Sequence, residues 1–120
     1  MTTQPPTDAR ISASAPVVTL INVFTVAPDQ QQQLVEFWQE ATDDVMRHQS
    51  GFVSASIHRS LDGTKVINYA QWESREAFGA MFQNPRASAH LAKLAEIGTP
   101  DPALCEVVSV HRPTDNDVAP

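Results

Sequence analysis

The segment VINYAQW, Val66 to Trp72, carries an amide in a run that otherwise looks like a buried strand. Period-2 alternation puts Val66, Asn68, Ala70 and Trp72 on one face, and Ile67, Tyr69 and Gln71 on the other. Asn is depleted in strands, and a buried amide costs stability unless it is paired. Asn68 therefore either satisfies backbone near a bulge or meets a ligand. Two other strand-like runs carry polar groups at the same period. Asn22 and Phe24 share a face of VVTLINVFTV, and Ser54, Ser56 and His58 share a face of GFVSASIHRS. Amides bind oxygen functions, an indole offers a flat wall and one N–H, and imidazole titrates near neutrality, where general acid–base work needs it.

The other reactive side chains lack a pattern. His48, His90 and His111 have no carboxylate or histidine partner at useful spacing, and no HxxxH, HxH or HExxH occurs, so no metal site is expected. Cys105 is the single cysteine, which rules out an intrachain disulfide and a CxxC site and reads as a buried structural thiol. None of the four glycines sits in a phosphate-cradling loop, so no nucleotide or flavin fingerprint is present.

Stepping along the chain, 120 residues suit one domain with one core, and 42% hydrophobic with 18% charged residues is a globular composition. A formal net charge of -6 speaks against a nucleic-acid surface. No apolar run approaches membrane-spanning length and no secretory signal is seen, so no membrane partner and a cytoplasmic location are expected. Residues 1–16, rich in Pro, Ser, Thr and Ala, and the similar 113–120 read as flexible tails, leaving a working domain at 17–112.

Within that domain strand and helix patterns alternate. VVTLINVFTV stops at Pro28. A helix follows, with Leu34, Phe37, Trp38, Ala41 and Val45 on one stripe, Asp29 as its cap, Gln30 to Gln33 as a solvated first turn and Gly51 as its end. GFVSASIHRS, the turn Leu61-Asp62-Gly63-Thr64 and KVINYAQW form a hairpin. Ser74 caps a helix carrying Phe78, Met81 and Phe82; Pro85 interrupts it, RASAHLAKLAEI resumes, and LCEVVSVH is the last strand. The order βαββαβ predicts an α+β, ferredoxin-like sandwich, an antiparallel sheet with helices on one face. The other face would then carry Ile67, Tyr69, Ile21 and Val23, and by the same alternation Val53, Ala55 and Ile57. That surface is too apolar to leave in water, so a homodimer joined sheet to sheet is expected.

VTLINVFTV, MRHQSGFVSASIHRSLDG and VINYAQWESREAF resemble the antibiotic biosynthesis monooxygenase domain family. The resemblance runs through nearly all of 17–112 and implies a dimeric α+β barrel. NYAQWES, with HRSLDGT before it, is most similar to members that oxidise aromatic polyketide phenols without a cofactor. It implies a cavity between sheet and helices lined by Asn68 and Trp72, with His58 and Asn22 matching further pocket residues. The implied reaction turns a polycyclic phenol or anthrone and dioxygen into a quinone, with no cofactor. Asn68 would bind the oxyanion, Trp72 would be platform and donor, His58 the acid or base, and Asn22 the support. Phe24, Ser54, Ser56, Phe78 and Phe82 would line the substrate, and Arg86 would meet an anionic substrate at the mouth. Phe78 stands where those enzymes carry an aromatic hydroxyl, so proton transfer would fall on His58 or water, with Lys93 the nearest base further along.

The family is chemically diverse, and three other functions stay open. A haem-degrading or haem-binding protein would need an axial histidine on the second helix, where this chain has Phe78, Met81 and Phe82. A non-oxidative isomerase or cyclase, or a binding module without chemistry, would use the same barrel.

Overall fold

The computed structural model describes residues 7–114. The chain forms β1 (Val18–Thr25), α1 (Gln31–Asp44), β2 (Phe52–Arg59), β3 (Lys65–Trp72), α2 (Arg75–Met81), α3 (Pro85–Ile97) and β4 (Pro102–Cys105), with 3-10 turns at Pro28–Gln30 and Met46–His48. The strands make one four-stranded antiparallel sheet in the order β2-β3-β1-β4. The helices pack on one face of it, which is the expected ferredoxin-like α+β arrangement.

The apolar stripes build two adjoining core clusters. Trp38, Leu34 and Val35 of α1 pack with Phe24, Val26, Val66 and Leu94. Met46, Met81 and Ala87 pack with Leu20, Val45, Ala70 and Trp72. Gly98 closes α3 where a side chain has no room: a Cβ there would lie 2.8 Å from Leu34 Cδ2 and 3.1 Å from Phe24 Cδ2. The caps are local. Ser74 Oγ accepts from Ala77 N–H at 3.0 Å, and Asn84 Oδ1 accepts from Arg86 N–H at 2.9 Å. Pro85 takes the first position of α3, where its missing N–H costs nothing, so it starts a helix rather than merely interrupting one.

The register decides which side chains share a face. Asn22 pairs with Asn68, Leu20 with Ala70 and Phe24 with Val66, all toward the helices. On β2, Ile57 pairs with Asn68, Ala55 with Ala70 and Phe52 with Trp72, with the register shifting between Phe52 and Ser54. Val53 is the extra residue of that bulge, and it is exposed. So Phe52, Ala55 and Ile57 face the helices, while Ser54, Ser56 and His58 face away with Gln71, Tyr69 and Ile67. The expected faces of β2 are thus reversed. Period 2 groups the side chains but does not say which group points inward, and the packing of Ile57 and Ala55 against the core settles it.

Four element expectations change. The first helix ends at Asp44 rather than at Gly51, with a separate 3-10 turn at Met46–His48 in between. Asp29 does not cap α1: it lies in the turn Pro28–Gln30, and α1 starts at Gln31 with no side-chain cap. Gln31 is not merely solvated, because its Nε2 donates to Ser60 O at 3.0 Å and Lys65 O at 2.9 Å, tying the start of α1 to the hairpin. The last strand is Pro102–Cys105 rather than 104–111. Cys105 already pairs with Thr19, and β1 begins at Val18, so little partner strand remains beyond it; Val108 and Val110 are exposed.

Of the expected tails, residues 1–6 and 115–120 lie outside the described residues. Residues 7–16 form no strand or helix, but Arg10 O accepts from Gln71 Nε2 at 2.6 Å on the helix-free face.

Candidate active site

A cavity of about 400 Å³ lies between the sheet and the helices, within the range of small-molecule sites. The sheet supplies Leu20, Asn22 and Phe24 from β1, Asn68, Ala70 and Trp72 from β3, and Phe52 and Ala55 from β2. Trp38 and Thr42 of α1, Phe78 and Met81 of α2, and Leu91 of α3 close it from above. Phe82, Pro100, Pro102 and Leu104 also line it and are exposed, so the mouth opens between the end of α2 and the β4 edge.

The walls are apolar and the polar atoms few. Asn22 (8% exposed), Asn68 (4%), Trp38 (3%) and Trp72 (2%) are all buried. Asn22 Oδ1, Asn68 Oδ1, Trp38 Nε1 and Trp72 Nε1 are buried without a hydrogen-bond partner. Folded proteins pair nearly all such groups, because a buried orphan carries a desolvation cost of about 1–3 kcal/mol. Four such atoms belong to cavity-lining residues, two amide oxygens that can accept a hydrogen bond and two indole N–H groups that can donate one; a fifth, Thr19 Oγ1, belongs to a residue off the cavity. Thr42 Oγ1 is already used, donating to Trp38 O at 2.8 Å. Among the described residues that line the cavity, none is titratable.

Aromatic rings carry the wall from floor to mouth. Phe52 and Trp72 meet edge to face at 5.5 Å, Trp72 and Phe78 at 5.9 Å, and Phe78 and Phe82 at 5.2 Å. Phe78 thus fixes the Trp72 plane but offers no hydroxyl.

The structure brings together Asn22, Phe24, Asn68, Trp72, Phe78 and Phe82. It does not bring His58, Ser54 or Ser56 there. His58 is exposed on the helix-free face near Tyr69, and Ser54 Oγ donates to Gln71 Oε1 at 2.7 Å on that face. Arg86 is also off the cavity: its guanidinium pairs with Asp44, which joins α3 to α1. Lys93 sits on the surface over the Phe37 ring at 4.0 Å. His90, which has no carboxylate nearby in sequence, finds one through space, with Nε2 at 2.8 Å from Asp44 Oδ2. The hydrogen bond with His90, helped by the charge of Arg86, holds the Asp44 carboxyl below its ordinary range against the opposing effect of desolvation. His48 ends near Asp43 O, and Cys105 is half-buried on the edge strand. No group of three or more metal-binding side chains gathers among the described residues.

Trp38 is the cavity residue that the sequence pattern hides. It reads as one more apolar position of the α1 stripe, and the only signal against that is its N–H, which a fully apolar neighbourhood leaves unpaired.

The antibiotic biosynthesis monooxygenase family matches residues 17–93. Tetracenomycin-F1 monooxygenase of Streptomyces glaucescens is 46% identical over 99 residues, covering 82% of this chain and 88% of that protein. The crystal structure of a monooxygenase from the gene ActVA-Orf6 of Streptomyces coelicolor, in complex with nanaomycin D, is 32% identical, with a TM-score of 0.72, and covers 81% of this chain and 92% of that one. SnoaB, a cofactor-independent oxygenase from Streptomyces nogalater, is 27% identical, with a TM-score of 0.63, over 85% of this chain and 99% of its own.

Proposed function

Because the chain belongs to the antibiotic biosynthesis monooxygenase family, we propose that its cavity binds a polycyclic phenol or anthrone and oxidises it with dioxygen to a quinone. The chain is a monooxygenase of the cofactor-independent polyketide type. The observation that carries the substrate class is the cavity itself, with flat aromatic walls and four unpartnered polar atoms.

The reaction balances without a cofactor. The ring carbon loses a proton to give an anion delocalised onto the phenol oxygen. That anion reduces dioxygen, a C–O bond forms, and a proton completes the hydroperoxide. The O–O bond then breaks, the remaining C–H proton leaves with the hydroxide as water, and a carbonyl is left on the ring. One oxygen atom enters the product and the other becomes water.

The Asn68 Nδ2 amide donates to the anion and the peroxide, Asn22 supports it from the opposite strand, and Trp72 stacks on the substrate and donates its N–H. Phe24, Phe78 and Phe82 exclude water. With no titratable side chain on the described walls, the proton leaves to water at the mouth, and the substrate's own acidity governs the first step.

The active form is a homodimer. Ile21, Val23, Ile67 and Tyr69 are only half-buried on the helix-free face, an apolar surface that supports cover by a second copy of the sheet. None of the described helices is long and apolar enough to cross a membrane. A cytoplasmic site of action belongs to the same reading and is supported by the chain's single cysteine, which leaves no intrachain disulfide to maintain.

Heavy-isotope dioxygen tests the reaction. Incubated with dithranol, a dihydroxyanthrone, the enzyme should place one labelled atom in the quinone and the other in water. Label absent from a quinone formed at an enzyme-dependent rate would overturn the oxygenase reading.

A further inference from the structure

We propose that Trp38 is a substrate-binding and specificity residue, whose N–H holds an oxygen on the end of the substrate remote from Trp72. This rests on the reading of the cavity as the oxygenase site. The cavity spans both core clusters. Trp72 belongs to the one containing Leu20 and Ala70, and Trp38 to the one containing Phe24 and Val66. Along β1 and β3 the Asn22–Asn68 pair falls at the seam, between Leu20–Ala70 and Phe24–Val66. Each apolar half thus has one indole, and the two amides stand between them.

Trp38 is held firmly where it is. Its ring meets Phe24 edge to face at 5.6 Å and 83°, and its carbonyl takes the Thr42 hydroxyl. Its N–H is nonetheless buried and unpartnered, while the ring lines the cavity. A tryptophan in a sealed core usually finds a partner for that proton. Here the ligand is the partner. Strand residues advance by about 3.4 Å each, so Phe24, against which the Trp38 ring packs, and Val18, which pairs with Trp72, stand roughly 20 Å apart along β1. The ligand that satisfies both indoles is an elongated polycyclic aromatic with an oxygen substituent on each end and oxygen functions at its middle for the asparagines.

The test uses three probes with the same central quinone: anthraquinone, 2-hydroxyanthraquinone and anthraflavic acid, which carries one hydroxyl on each outer ring. The chain has two tryptophans, so the wild type gives two indole N–H resonances, assigned with Trp38→Phe. Anthraflavic acid should shift both indole protons downfield and bind about tenfold more tightly than 2-hydroxyanthraquinone, the gain of one buried hydrogen bond. In Trp38→Phe that second-hydroxyl gain should vanish while the first-hydroxyl gain persists. An unmoved Trp38 indole proton in the wild type overturns the inference whether or not the variant folds, as does an unchanged affinity series in Trp38→Phe. Oxygen uptake with dithranol separates the two readings: uptake with an unmoved Trp38 defeats this inference alone, and the predicted shifts without uptake defeat the oxygenase reading alone. Failure of all three quinones to bind, together with no oxygen uptake, overturns both.

Discussion

Asn22 and Asn68 stand directly opposite each other across β1 and β3, and the side-chain oxygen of each is buried without a partner. Residues so opposed hold their Cβ atoms about 4.5–5.5 Å apart, so the two amides act on one point of a bound ligand. Because Asn68 Oδ1 satisfies nothing in the protein, Asn68→Ala should leave the melting temperature unchanged or raise it. Turnover should fall about 10²–10³-fold, the usual loss for an oxyanion donor. Normal turnover with a large drop in melting temperature would make the amide architectural.

His58 lies on the other face of the sheet from this pair, since it is paired with Ile67 rather than with a cavity residue. His58→Ala should therefore keep the wild-type turnover and the wild-type pH profile. That profile should move with the acidity of the phenol when substrates of different acidity are compared. A profile that instead loses a limb in His58→Ala would return the imidazole to the mechanism.

What the sequence carried, and what it did not, divides along physical lines. Element order follows from periodicity, but the inward face of β1 and β3 came from the family resemblance, because Ile21, Val23, Ile67 and Tyr69 are about as apolar as Leu20, Phe24, Val66 and Trp72 on the other side. The face of β2 does not follow: Ala55 and Ile57 suit a core or a dimer interface equally well, and the bulge at Val53 moves Phe52 to the face opposite the one its spacing implies. The ion pairs of Asp44 with Arg86 and His90 bridge α1 and α3, which only tertiary packing brings together. The cavity asparagines were readable because amides are out of place in such strands. Trp38 was not, because a tryptophan in an apolar stripe is in place everywhere except at its N–H.

The helix-free face gives the assembly prediction. Ile67→Asp or Tyr69→Asp places a charge on the helix-free surface proposed to dock a second sheet. An unpaired buried charge costs several kcal/mol, so either change should turn the dimer into monomer in light scattering at micromolar concentration. A wild type that scatters as a monomer would remove the barrel-dimer arrangement.

The β2–β3 turn gives a pH prediction. Hydrogen bonds from Ser60 Oγ and Thr64 Oγ1, both at 2.7 Å, and from the Thr64 N–H lower the Asp62 carboxyl from 3.8 to about 2. A group depressed on folding adds stability that is fully present above its unfolded value and is lost as pH falls through its folded value. The turn should therefore stay intact at pH 4 and loosen between about 4 and 2. Following the Asp62 carboxyl by NMR should show this low midpoint, and Ser60→Ala should raise it. A midpoint at the ordinary aspartate value in the wild type would contradict the hydrogen-bond network.

The central question is whether the asparagine-lined cavity oxidises a phenolic ring with dioxygen alone. The direct measurement is dissolved oxygen and quinone followed together, with dithranol, no added cofactor, and wild type beside the double variant Asn22→Ala/Asn68→Ala. The wild type should consume one dioxygen per quinone at a rate well above the autoxidation of dithranol in buffer, and the double variant should fall to that background while keeping its fold. A double variant that matches the wild-type rate, or a wild type no faster than buffer, would contradict the account.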